Sequence, residues 1–85
     1  MDVDTLSPVS RALLLQALPA GQLTNVLYRD GARLADGFDR ERRCFALGER
    51  GWLDFLGWDG EPLAGVHCRS VWALTREAQE LLALQ

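Results

Sequence analysis

The middle of the chain carries, at residues 42–53, the sequence Arg-Arg-Cys-Phe-Ala-Leu-Gly-Glu-Arg-Gly-Trp-Leu. Its apolar residues recur with helical spacing, so that Cys44, Leu47 and Gly48 line one face of a helix. Gly51 is the residue type that best accepts the left-handed conformation in which helices end. This stretch therefore predicts the end of a helix, followed directly by a new element.

Capping and turn residues predict the elements on both sides of this stretch. Asp39 is a candidate N-cap, which predicts a helix from Asp39 to Arg50. The residue types then predict a strand at Trp52–Gly57 and a returning strand at Val66–Leu74. Turn-forming residues at 58–62, Trp-Asp-Gly-Glu-Pro, join these strands into a hairpin.

The two ends of the chain also carry helix signals. Residues 1–6 are expected to form a loose, flexible leader. Ser7 as N-cap and Pro8 in the first turn predict a helix from Ser7 to Leu18, and Thr75 predicts the cap of a last helix. The residues expected to share one core are Leu13, Leu47, Trp72 and Leu81.

The segment 22–38 supports two interpretations. Leu23, Val26 and Leu27 have the spacing of a helix face. Against this, Asp30-Gly31 is a strong signal for a two-residue hairpin turn, and β-branched and aromatic residues precede it. We expect helical structure in this segment, with a hairpin as the alternative.

Composition limits the class of protein. The chain has 85 residues, 48% of them apolar and 25% charged, which is ordinary for one folded domain, expected at residues 7–85. Its apolar runs are far shorter than the roughly 20 residues of a membrane span. We see no signal peptide, and two cysteines are too few for a disulfide framework, so a cytoplasmic location is expected.

The order of elements resembles the winged helix-turn-helix superfamily. In that superfamily the recognition helix commonly ends in an Arg-Gly-hydrophobic step before the wing, and Arg50-Gly51-Trp52 matches it. Residues 72–82 resemble the second wing strand running into a capping helix. The resemblance covers roughly residues 7–84 and implies a mainly α fold with a β-hairpin wing, in the α+β class.

This resemblance implies a small transcriptional regulator that binds double-stranded DNA, as a dimer or with a protein partner. All nine basic residues of the chain are arginine, which forms bidentate contacts with phosphate and guanine. The same arginines could instead solvate the helix and pair with neighbouring carboxylates such as Asp39, Glu41 and Glu49. The candidate DNA-binding residues are Arg40, Arg42, Arg43, Arg50 and Arg69.

The acidic balance of the chain favours an alternative function. The net charge is −3, and Asp54, Asp59 and Glu61 place three carboxylates on the expected wing, where they would repel phosphate. A winged helix that has lost DNA binding could act as an adaptor between proteins. Trp58, near the hairpin tip, is then the candidate interface residue, whereas Trp52 and Trp72 are expected to pack as core.

Catalytic and metal chemistry have little support. His67 stands alone, without a nucleophile motif or a glycine-rich phosphate loop. Cys44, His67 and Cys68 do not have the spacing of a metal motif. We expect neither an enzyme nor a bound metal or cofactor.

Overall fold

The helix ends follow the capping chemistry of the sequence. In the computed structural model, which describes residues 1–63 and 66–85, the Ser7 hydroxyl accepts a hydrogen bond from the Ser10 N–H at 3.2 Å. The Thr75 hydroxyl accepts one from the Ala78 N–H, also at 3.2 Å. The described elements are a 3-10 turn (Val3–Thr5), α1 (Pro8–Ala17), β1 (Gln22–Val26), β2 (Tyr28–Arg29), β3 (Ala32–Arg33), α2 (Ala35–Glu49), β4 (Leu53–Leu63), β5 (Val66–Leu74) and α3 (Arg76–Ala83).

Three antiparallel strands form one sheet in the order β1-β5-β4. β4 and β5 are the two strands of the predicted hairpin, and β1 pairs with β5 in a register that sets Leu23 opposite Trp72. β2 and β3 form a separate two-stranded hairpin. Helices combined with an antiparallel sheet make an α+β fold, as the sequence predicts.

The core contains the residues that the sequence predicts for it. Leu13, Leu47 and Trp72 are buried, and Leu81 packs against them half-buried. Trp52 is fully buried, as expected. The residues expected to form a loose leader instead supply part of this core, since Val3 and Leu6 are buried in it.

The helix expected between residues 22 and 38 is wrong, because β1, β2 and β3 occupy residues 22–33 of this fully described segment. In β1, Leu23 and Asn25 are buried and the residues beside them are not. Asp30 and Gly31 both have positive φ, 50° and 82°, as the type I′ hairpin turn requires. The hairpin alternative is confirmed. No helix stands where a helix-turn-helix motif has its first helix.

α2 begins one turn before Asp39, so the predicted N-cap is also wrong. Leu34 precedes the helix and forms no side-chain capping bond. Its backbone N–H donates to the carbonyl of Leu27 at 2.9 Å. Gly37 lets the first turn approach β1 closely, since a Cβ there would stand 1.8 Å from the Val26 carbonyl oxygen. Tertiary contacts, rather than a capping side chain, fix this helix start.

The β4–β5 hairpin is longer than predicted. Residues 58–62, expected to form its turn, belong to β4, which continues to Leu63. The pairing of β4 with β5 shifts register after Phe55 and again after Asp59. Gly57, at the first shift, has φ 130°, a conformation that only glycine adopts easily.

We expect Gly37→Ala to destabilise the protein by about 3 kcal/mol or more, because its Cβ would collide with the Val26 carbonyl and displace α2. Helix propensity alone has the opposite sign and favours alanine by about 1 kcal/mol. Urea unfolding measures the difference. Ala46→Gly, on the exposed side of α2, is the control and should cost about 1 kcal/mol. A Gly37→Ala variant as stable as the parent chain would contradict the close approach of α2 to β1.

Candidate nucleic-acid interface

α2 has a buried side and an exposed side. Gly37, Glu41 and Cys44 are buried at intervals of about one helical turn. Arg42 and Ala46 are exposed on the other side of the helix. Because the buried side fixes the rotation of α2 about its axis, it also determines which arginines face solvent.

Arg40 and Arg43 lie where α2 passes α1. Arg40 is exposed and Arg43 is half-buried. Among the side chains that the structure describes, neither forms an ion pair with a carboxylate. Both line a shallow groove whose other lining residues all come from α1 and are Pro8, Val9, Ala12, Leu13 and Gln16.

Arg42 and Arg50 continue the arginine side toward the end of α2, and both already have partners. Arg42 pairs with Asp39, and their side chains are 76% and 59% exposed. Such an exposed pair contributes little stability, so this guanidinium can turn to a phosphate at small cost. Arg50 donates to the hydroxyl of Thr5 at 2.6 Å. Together with Arg43, these two arginines line a further groove.

Arg69 lines none of the three described grooves that contain arginines of α2. It lies on β5 opposite Asp59 of β4 and pairs with that carboxylate at 3.3 Å. The ion pair reduces the positive charge that Arg69 could offer to a phosphate. Of the five predicted arginines, the other four gather along α2 and Arg69 stays on the hairpin.

Arg29 and Arg33 also belong to this basic side, although the sequence alone did not predict a role for them. They flank the Asp30-Gly31 turn on β2 and β3 and line one groove together with Arg40. Arg33 lies over the ring of Phe38, with its guanidinium carbon 4.2 Å from the ring centroid. The turn signal could have placed both arginines on one hairpin, in which Arg29 pairs with Ala32 and Arg33 pairs with Tyr28.

Trp58, the candidate protein-interface residue, belongs to a row of aromatic rings. Phe45 contacts Trp72, Trp72 contacts Phe55, and Phe55 contacts Trp58, with centroid distances of 5.1, 5.1 and 5.3 Å. Phe45, Phe55 and Trp58 are 51%, 42% and 46% exposed. The register shift after Phe55 creates this aromatic row, since residues three apart in a regular strand point to opposite faces.

Glu41 is a buried carboxylate, 6% exposed, in the contact between α2 and the sheet. Its Oε1 accepts hydrogen bonds from Asn25 Nδ2 at 3.0 Å, Ser70 Oγ at 2.6 Å and Trp72 Nε1 at 2.7 Å. Among buried atoms of the described residues, Glu41 Oε2 and Asn25 Oδ1 have no hydrogen-bond partner. Glu41 therefore faces inward and does not pair with the arginines of α2, contrary to one expectation from the sequence.

Cys44 lies beside this carboxylate and is fully buried. Burial raises the pKa of the Cys44 thiol, and the charge of Glu41 acts in the same direction. A hydrogen bond from Asn25 Nδ2, 3.4 Å from the sulfur, and the charge of Arg40 act against this rise. A buried thiol with a raised pKa stays protonated at neutral pH, which suits packing rather than nucleophilic chemistry.

Comparisons of the chain with protein-family models, curated proteins and solved structures found no match. Within the described residues, no three His, Cys, Asp or Glu side chains gather as potential metal ligands. Of the helices described, none is long and apolar enough to cross a membrane. The geometry of the arginines and of the aromatic row is therefore the basis for proposing a function.

We expect Glu41→Gln to keep the free energy of unfolding within about 1 kcal/mol of the parent chain, because the amide oxygen can accept the same three hydrogen bonds. Its NH2 group would also take the place of Oε2, which accepts no hydrogen bond. Glu41→Ala leaves three donors unpaired, each worth about 1–3 kcal/mol, and should cost at least about 3 kcal/mol. Denaturant unfolding compares the two variants. Equal losses in both would mean that the negative charge, and not the acceptor geometry, holds this contact.

Proposed function

We propose that this chain is a small DNA-binding regulator that places α2 in the major groove of double-stranded DNA. One observation carries the proposal: six of the nine arginines line adjoining grooves on one side of the fold. Arg40 belongs to two of these grooves and Arg43 also belongs to two, which makes the basic surface continuous. This basic strip consists of Arg29, Arg33, Arg40, Arg42, Arg43 and Arg50.

The basic strip has the opposite charge to the whole chain. The net charge is −3, yet among the described residues the carboxylates that line the same grooves are Asp36 and Asp39 alone. Electrostatic attraction is screened over about 10 Å at ordinary salt concentrations. The local excess of arginine, rather than the net charge, therefore governs contact between this surface and phosphate.

The size of α2 also supports the proposal. The helix has 15 residues, which corresponds to about 22 Å at 1.5 Å per residue. The major groove of B-DNA is about 12 Å wide and admits an α-helix. In that position, exposed arginines on the helix can bind guanine edges or phosphates with two hydrogen bonds each.

In this proposal the domain is a variant of the winged helix. β4 and β5 form the wing, and the β2–β3 hairpin takes the place of the first helix of the helix-turn-helix. The sequence of elements α2, β4, β5 and α3 supports this assignment. A homodimer would present two copies of α2 to a palindromic DNA site and double the small basic footprint.

We expect the double variant Arg42→Gln, Arg43→Gln to bind duplex DNA at least about tenfold more weakly, because each lost base contact is worth about 1–3 kcal/mol. Fluorescence anisotropy with genomic duplex fragments, at several salt concentrations, measures the affinity. Arg76→Gln is the matched control, since Arg76 lies on α3 with its side chain 94% exposed. This substitution should not change the affinity for duplex DNA. An unchanged affinity of the double variant, with its melting temperature preserved, would contradict the role of α2.

The aromatic row favours a second candidate function, that of a protein-binding adaptor. Three of its four rings are about half exposed, and Phe45, Phe55 and Trp72 line a shallow groove between α2 and β4. Glu49 and Asp54 line the same groove. Aromatic side chains are typical anchors at protein interfaces, and the two carboxylates would suit a partner with basic residues around an apolar anchor.

If the chain is an adaptor, Trp58→Ala should weaken the complex with a co-purifying protein by about 2 kcal/mol or more, as the loss of an anchor does. Isothermal titration with the purified partner measures this change. Leu84→Ala is the control, since Leu84 is 81% exposed elsewhere on the surface. An adaptor would also keep its affinity in the Arg42→Gln, Arg43→Gln variant. If Leu84→Ala weakened the complex as much as Trp58→Ala, the aromatic row would not be the binding surface.

A further inference from the structure

We propose that Arg29, Arg33 and Arg40 form a binding site for one backbone phosphate of DNA, separate from the arginines that read bases. This inference rests on the proposed DNA-binding function and names a contact within it. Three different elements supply the site: Arg29 comes from β2, Arg33 from β3 and Arg40 from α2. All three line the same groove beside the first turn of α2.

The hairpin holds the site in shape before any ligand binds. The Asp30-Gly31 turn pairs β2 with β3 in a register that sets Arg29 opposite Ala32 and Arg33 opposite Tyr28, so the backbone positions of both arginines are fixed. The guanidinium of Arg33 lies over the ring of Phe38 of α2. The rings of Tyr28 and Phe38 form a T-shaped pair with a centroid distance of 5.6 Å. A guanidinium that is already in position loses less conformational entropy when it binds a phosphate.

The side chains that line this groove carry a net positive charge, which favours the binding of an anion. Among the side chains described, Arg29, Arg33 and Arg40 form no ion pair, while Asp36 is the carboxylate that lines the groove with them. Like charges on three arginines that line one groove repel one another, and an anion bound in the groove would relieve that repulsion. Guanidinium forks match the geometry of phosphate oxygens.

The position of the groove identifies a DNA backbone phosphate as the anion. Arg40 lines this groove and also the groove that contains Arg43 on the exposed side of α2. A duplex that brings its bases to α2 thus passes its backbone beside the β2–β3 hairpin. Contacts to phosphate fix the register of a protein on DNA and carry no sequence information themselves.

The test is the double variant Arg29→Gln, Arg33→Gln, titrated with several duplexes of different sequence. Loss of one phosphate contact should reduce the slope of log affinity against log salt by about 0.9. The ratio of parent to variant affinity should therefore fall by about 3.5-fold as salt rises from about 50 to about 200 mM, equally for every duplex. The Arg29→Lys, Arg33→Lys variant retains both charges and should keep most of the parent slope.

An unchanged slope in the glutamine variant, with its melting temperature preserved, would overturn the phosphate site. A loss confined to one DNA sequence would also overturn it, because that result indicates base reading. If the parent chain binds no duplex at low salt, the proposed function fails, and the site is tested separately by NMR titration with inorganic phosphate. Saturable shifts at residues 29–40, absent in the glutamine variant, would then support an anion site, and unshifted spectra would overturn it.

Discussion

The carboxylate of Glu41 holds three elements of the fold together. One of its oxygens accepts hydrogen bonds from Asn25 on β1 and from Ser70 and Trp72 on β5, so a single atom ties α2 to two neighbouring strands. All four residues are buried. Hydrogen bonds in such surroundings are strong when they are complete and costly when a partner is missing. The rotation of α2, and with it the direction in which its arginines point, depends on this contact.

Local chemistry was sufficient to predict the elements that end in recognisable signals. Ser7 and Thr75 cap their helices, and Gly51 follows α2 with the positive φ that its position requires. The β4–β5 hairpin was also predictable, although β4 extends through residues that were expected to turn. For the two helix caps and for Gly51, the decisive interaction lies within a few residues of the signal.

The region between α1 and α2 could not be predicted in this way, because distant residues determine it. β1 becomes a strand by pairing with β5, in a register that joins Gln22 to Ala73. α2 starts where Gly37 packs against Val26, and no capping side chain marks that start. The local helical spacing of Leu23, Val26 and Leu27 was a real feature of the sequence, but long-range pairing overrode it.

The candidate site was predictable to the extent that it lies on one helix. Arg40, Arg42 and Arg43 lie on α2, within the helix that the sequence predicted for residues 39–50. Arg29 and Arg33 could not be predicted, because they reach the site only through the β2–β3 hairpin, where a helix was expected. Arg50 donates a hydrogen bond to Thr5. This contact could not be predicted, because residues 1–6 were expected to form a loose leader.

The two register shifts in β4 have a consequence for how copies of this chain meet in solution. β4 is an outer strand of its sheet, and a long, regular outer strand is a template on which other chains can add and aggregate. The shifts after Phe55 and Asp59 interrupt the even spacing of backbone groups that such addition needs. The same irregularity that exposes Phe55 and Trp58 on one face therefore protects the edge beside them. The hairpin can therefore expose aromatic side chains while the backbone of β4 pairs poorly with a strand of another chain.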